Sequence, residues 1–383
     1  MTALGRAGQP RVFDEAPELT DVPLRIRRVT AEDVLSVAGA AVASLGLTWL
    51  LFERVLPFSG AFGFWLCWYV LFIVFFLAVA GLQWNSLVVR DKTMGVLVST
   101  GGIFASAVVV EQIAYSIVRG LPAISHLNFW TTTQATTAPL SPLSVGGILH
   151  AAVGSLEQLA LATLWSVPLG ILAALFLSEV GGRMERPVRT IVNAMTALPS
   201  IVAGLLIYAV VILALGYPRS GFAASLAIAI IMLPTVTRAA EVVLRVVPGT
   251  LREASFALGS SHWRTVWNVI LPTARSGLTT AVVLAMARGI GETAPVLLTA
   301  GLNTGMNANP FTGLQETLPT FIITNILDYG QFTTYLERAF GAGFALMLVV
   351  VVLFAIARFV GGGRPGELSG RQLRKIKREE ARS

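Results

Sequence analysis

Residues 248–272 read PGTLREASFALGSSHWRTVWNVILP, and they lie between two apolar runs, about 221–239 and 276–300. The polar interval is too long for a tight turn and too regular for a linker. Pro248 and Gly249 break the chain, and Thr250 with Glu253 has capping-box spacing, so a short helix is expected to start there. It places Leu251, Ala254 and Leu258 on one face and ends at Gly259, a residue suited to the left-handed C-cap. Ser260 or Ser261 then caps a second short helix. Its apolar residues Trp263, Val266, Trp267 and Ile270 recur at helical spacing until Pro272 is expected to stop it.

Outward from this pair of rods the chain is overwhelmingly apolar. Hydrophobic residues make up 55% of the 383 and charged residues 13%, with a mean hydropathy of +0.73. A soluble globular domain does not need such a balance. Apolar runs at about 34–52, 61–82, 95–118, 150–179, 188–216, 221–239, 276–300 and 340–361 are each long enough to cross a bilayer. The fold class expected is an all-α polytopic membrane protein of about eight transmembrane helices.

The net charge of +7 raises the choice between a nucleic-acid partner and a membrane surface, and position decides it. An even number of spans puts both termini on one side. If that side is the cytoplasm, 23 of the 28 Lys and Arg fall inside and four outside, with Arg288 left within a span. This is a positive-inside distribution and excludes nucleic acid as the reason for the charge. The first run is not a signal peptide, because a 33-residue tail precedes it and a more apolar run follows. The basic tail 362–383 reads as a cytoplasmic anchor touching anionic lipid, and the polar segment from Ser125 to Gly147, free of Lys and Arg, belongs outside.

The one cysteine, Cys67, and three scattered histidines, His126, His150 and His262, offer no metal-ligand spacing. Prolines are more informative. Pro168, Pro199, Pro234 and Pro295 fall one to a span in four successive runs, where each frees a carbonyl and kinks its helix. Loosened backbone of this kind is tolerated where it is packed in protein or lines a wet cavity. The run 276–300 also holds two charges, Arg288 and Glu292, near its middle. A charge there costs ~2.5–3.5 kcal/mol on insertion scales, so each asks for a reason. At i and i+4 they can pair on one helix face, beside Gly289 and Gly291 and ahead of Pro295. A cation next to weakened backbone suits transient contact with an anion.

Glu253, Ala254 and Ser255, then Gly259, then Val269, Ile270, Leu271 and Pro272 resemble the EAA loop of bacterial ABC-importer permeases, with Ser255 and Val269 as the departures. The resemblance implies a type I ABC-importer permease fold, with 248–272 as the element that docks on an ATPase subunit through Glu253, Ala254 and Gly259. Glu253 could also do no more than complete the capping box. The stretch ARGIGETAP, residues 287–295, is similar to that of phosphate permeases of the PstA type. So are Gly146 to Ile148, Leu177 to Glu179, Leu198 to Gly204, and Leu233 and Pro234 ahead of Arg238. This likeness implies that Arg288 and Glu292 lie on a phosphate path. It covers 95–361, leaving a tail 1–33 and an additional two-span region 34–94 that matches nothing in the six-span core.

The chain has no phosphate-binding loop of Walker type. Implied by the resemblance is therefore a non-enzymatic subunit of an ATP-driven phosphate importer in the bacterial plasma (inner) membrane, with no cofactor of its own. Its partners would be a second permease of PstC type, an ATPase dimer of PstB type that binds ATP and Mg, and a phosphate receptor of PstS type. An importer of another oxyanion, molybdate or sulfate, is an alternative, since Arg288 would suit any of them. A secondary carrier would require repeated halves, which the sequence does not display, and leaves the loop without a purpose. A non-transporting anchor or sensory subunit is the third reading.

Overall fold

The computed structural model describes residues 31–55 and 60–361, and every regular element among them is helical. The expected tails 1–33 and 362–383 lie outside the described residues, apart from 31–33. Seven helices are long and apolar enough to cross a membrane, and the number reaches eight when one bent pair is taken as a single span. The chain is an all-α polytopic membrane protein. It divides into two compact units, Met1–Val108 and Val109–Ser383.

In the first unit, α1 (Ala31–Leu50), with a π turn at Leu51–Val55, packs on α2 (Ala61–Gln83). α2 is apolar on all sides, as suits a helix in lipid. The seam between them buries Ala40, Phe72, Phe76 and Ala80. Trp68 donates its indole N–H to the Ala41 carbonyl at 3.2 Å. α3 (Ser86–Ile124) begins in this unit, where Tyr69 and Thr100 share a hydroxyl hydrogen bond of 2.8 Å. Lys92 pairs with Asp33 and lies over the Trp84 ring. The division between units falls within α3, which is 39 residues long where the sequence marks a run of 95–118.

The second unit is built around α8 (Gly221–Val246), whose apolar window is 56% buried, the highest share of any long helix. Small residues make this possible. Gly221, Ala223, Ala224, Ser225 and Ala227 let neighbouring backbones approach, which is how helices associate where lipid removes any hydrophobic drive. α4 (Leu127–Thr131) leads to α5 (Leu149–Leu175), which a π turn extends through Val180. α5 makes the principal pair with α8. At its crossing a Cβ on Gly170 would meet Val236 Cγ1 at 2.7 Å.

Several expectations are corrected here. The run 188–216 is not one straight span: α6 (Glu185–Ala197) and α7 (Ser200–Ile207, continued by a π segment to Ala214) meet at 104°. Leu198 is extended and Pro199 takes the N-cap place of α7, so Pro199 marks a break and not a kink. Between the membrane helices, α9 (Gly249–Ala257) has Pro248 at its N-cap with no side-chain cap. The capping box is therefore absent, because starting two residues earlier puts Thr250 inside the first turn. Gly259 does end the rod in the left-handed region, at φ +77°.

Nor does Pro272 stop the second rod. α10 (His262–Thr265) runs through a π turn, Val266–Ile270, directly into α11 (Leu271–Ile290). A π turn opens the hydrogen-bond ladder just ahead of Pro272, where its missing N–H and its ring would otherwise interrupt the helix. The run 276–300 then ends early. α11 stops at Ile290, and a separate six-residue α12 (Ala294–Thr299) carries Pro295 at its start. Of the four prolines expected to kink spans, Pro168 and Pro234 sit inside continuous helices. α13 (Leu318–Leu327), opened by Thr317 and Pro319, lies between the apolar runs 276–300 and 340–361 and precedes α14 (Thr333–Gly361).

Candidate functional site

Two helix breaks and the charged pair come together. Gly204 of α7 lies so close to α12 that a Cβ there would meet Pro295 Cα at 2.6 Å. A small recess beside them is lined by Met195, Leu198, Ala203, Ile231, Pro234 and Arg288, among others. Thus the α6–α7 bend, Pro234 of α8 and the last turn of α11 share one neighbourhood. Pro168 instead belongs to the α5–α8 crossing, two residues from Gly170.

Arg288 occupies the final turn of α11, where a cation is favoured by the carbonyls a helix leaves unbonded. The backbone then tightens: the amides of Gly291 and Glu292 donate to the carbonyls of Arg288 and Gly289, each at 3.2 Å. Glu292 therefore does not continue a regular helix face. Arg288 Nε and Glu292 Oε1 stand 4.0 Å apart, the outer limit of an ion pair, with side chains 51% and 15% exposed. Arg288 lies 13 residues beyond Arg275 along one helix, about 20 Å, so with Arg275 at the edge of a ~30 Å hydrocarbon layer it would fall past the middle. A half-exposed guanidinium at that depth calls for a covering other than lipid tails.

At the far end of α11 the two rods present a different surface. Glu253, Ala254 and Gly259 are exposed, as are Leu251, Phe256, Leu258, Trp263 and Trp267. The apolar face expected from Leu251, Ala254 and Leu258 is thus directed away from the chain's own core. In the second rod, Val266 and Ile270 are buried against Leu175, Leu244 and Ala274, while Trp263 and Trp267 face out. Exposed apolar side chains gathered on one surface mark an interaction site, for protein or for membrane.

Ser255, a departure from the family pattern, faces inward. Its hydroxyl shares a buried hydrogen bond of 2.9 Å with Thr265, which joins the rods. Arg252, next to Glu253, donates to Glu179 Oε1 at 2.8 Å, and to the carbonyls of Leu244 and Val247. The sequence reading assigned no role to Arg252 or Thr265. Their spacing within the loop was visible, but the partner of Arg252 lies 73 residues away.

The opposite end of the bundle is closed by polar contacts over long sequence separations. His150 pairs with Glu316 at 3.2 Å, and Gln158 donates to Gln315 Oε1 at 3.1 Å. Arg338, 1% exposed, donates to the carbonyls of Pro142 and Val145 at 2.8 Å each, and so fixes the Ser125–Gly147 segment against α14. Among the described residues no group of three His, Cys, Asp or Glu side chains could hold a metal ion.

Comparison with known proteins places this architecture. The model of the binding-protein-dependent transport system inner membrane component family matches residues 166–362, which take in every candidate site residue named above. Phosphate transport system permease protein PstA 1 of Mycobacterium tuberculosis (strain ATCC 25618 / H37Rv) is 38% identical over 252 residues, 65% of this chain and 80% of that protein. PstA of Mycobacterium leprae is 35% identical over 280 residues, covering 72% and 91%. PstA of Pasteurella multocida is 34% identical over 244 residues, covering 63% and 84%. The chain belongs to the family of binding-protein-dependent transport system inner membrane components, and within it to the PstA-type permeases.

Proposed function

We propose that this chain is one permease half of a type I ABC importer for phosphate in the bacterial inner membrane, with both termini in the cytoplasm. A second permease of PstC type would cover the half-exposed Arg288, so that the path runs between the two chains. That half-exposed cation at the break that ends α11 is the observation that carries the reading. A PstS-type receptor would deliver phosphate on the side of the 125–147 segment. A PstB-type ATPase dimer, which binds the ATP and Mg, would grip the rods through Glu253, Ala254 and Gly259 and the apolar residues around them.

Closure of the ATPase would push α9 and the α10–α11 helix, and the breaks at 198–199 and 291–293 would take up the movement. Alternating access then requires two arrangements of these breaks, biased by nucleotide. Arg288 offers the phosphate dianion a counter-charge. Glu292, 4.0 Å away, is near enough to hold the guanidinium between passages and too far for a tight pair that would exclude the solute. Binding on such a route has to be weak enough for release.

The test is uptake by the reconstituted complex. Arg288→Gln should abolish ATP-driven phosphate uptake while the subunits still co-purify. Full-rate uptake by that variant removes Arg288 from the path. Competition by sulfate or molybdate equal to that by phosphate would reassign the solute.

A further inference from the structure

Arg252 does more than neighbour Glu253. From α9 its guanidinium reaches the carbonyl of Leu244 in the last turn of α8 at 3.0 Å, the carbonyl of Val247 at 3.1 Å, and Glu179 at the end of α5 at 2.8 Å. It thereby adds a second donor to the Leu244 carbonyl, which also accepts from the Val247 amide at 3.3 Å, supplies a donor to the Val247 carbonyl just past the helix end, and ties three elements at one point. The pair is shielded from water: the Glu179 side chain is 6% exposed and that of Arg252 24%. A separate ion-pair network, Glu185 and Arg189 of α6 with Glu241 and Arg245 of α8, joins those two helices and does not reach the rods. Beneath the clasp, Leu175, Leu244, Val266 and Ile270 pack in one apolar cluster, so α5, α8 and the second rod already share a base.

We propose that Glu179 and Arg252 are positioning residues that make the end of α5 move with the α9 rod. The inference rests on the importer reading above. The chain runs directly from the rods only into α8 and α11, yet α5 carries Pro168 and forms the principal pair with α8. Without the clasp, a push on α9 reaches α5 only through apolar side chains that can slide. With it, a charge-assisted bond of fixed direction passes the push across.

The experiment uses the whole complex in vesicles, with phosphate-loaded receptor, and reads phosphate imported per ATP hydrolysed. Glu179→Gln keeps the size of the side chain and a neutral hydrogen bond, and should lower that ratio roughly tenfold while the ATPase still co-purifies. In a Cys67→Ser background, Glu179→Cys with Arg252→Cys should have the same low ratio. Bridging the two thiols with a short bifunctional maleimide should restore it. An unchanged ratio in Glu179→Gln overturns the proposal, as does a bridge that fails to restore coupling. So does parallel loss of uptake and ATPase subunit from the complex, which would mean a purely structural contact. If the unaltered complex itself shows no ATP-driven phosphate uptake, it is the importer reading that fails.

Discussion

Gly204→Ala isolates how much the meeting of α7 and α12 matters. The substitution adds one methyl group in the middle of a helix, where alanine is favoured over glycine by ~0.5–1 kcal/mol. The new Cβ, however, would sit 2.6 Å from Pro295 Cα and 3.1 Å from its Cβ. These are atoms of a proline at a helix start, and they cannot rotate away as a flexible side chain would. Overpacking of this kind costs ~1–3 kcal/mol, so the net expectation is a loss of about 0.5–2 kcal/mol. That energy falls on the arrangement of α12 relative to α7, and hence on the break beside Arg288. The complex should melt a few degrees lower and import phosphate several-fold more slowly, with Arg288 and Glu292 untouched. Gly343→Ala in α14 is the control: nothing lies within 4 Å of its added Cβ, so only the helix preference remains and stability should hold or rise. If Gly204→Ala melts and transports like Gly343→Ala, the close approach is not a constraint, and the account of the site as two interlocked breaks is wrong.

Three further outcomes are expected. Ser255→Ala leaves Thr265 with only its bond to Ser261 and should cost ~1 kcal/mol; when Thr265 is already valine, the same change should cost measurably less, by thermal melting of both pairs of variants. Arg338→Met removes the donor from the carbonyls of Pro142 and Val145 and should cost ~2–4 kcal/mol. Protease cleavage within 137–146 should rise with it, and equal cleavage rates before and after would show that the segment is held by other contacts. Glu253→Arg, on an exposed face, should leave the stability of the isolated chain within about 0.5 kcal/mol of the original by thermal melting, yet weaken co-purification with the ATPase.

The class of fold was legible in the apolar runs, because length and hydropathy are properties of a segment by itself. Gly259 was legible for the same reason: a helix end needs a residue that tolerates positive φ, and this one has φ +77°. The two breaks were not. Pro199 and Pro295 carry the same local signal as Pro168 and Pro234, a missing N–H, and that signal serves equally for a kink inside a helix and for the first turn of a new one. What separates the outcomes is tertiary: Gly204 admits Pro295 against α7, and only a broken α11 can deliver it there. Pro272 misled in the opposite sense, since the π turn before it relieved the clash that would have ended the helix. The partners of Arg252, His150 and Arg338 lie 73, 166 and about 196 residues away, beyond the reach of any periodicity.

Because α10 passes into α11 without a stop, His262–Ile290 is a single rod of 29 residues, about 43 Å long. One tip stands beside the exposed tryptophan face and the other ends next to Arg288. A swing of only ~5° about the first tip would carry the second through about 4 Å, by the geometry of a rigid helix of that length. At that end Gly289 lies so close to α8 that an added Cβ would meet Met232 Sδ at 2.6 Å, so a swing of this size has to take α8 with it, and the rod acts as a lever on two packed helices together.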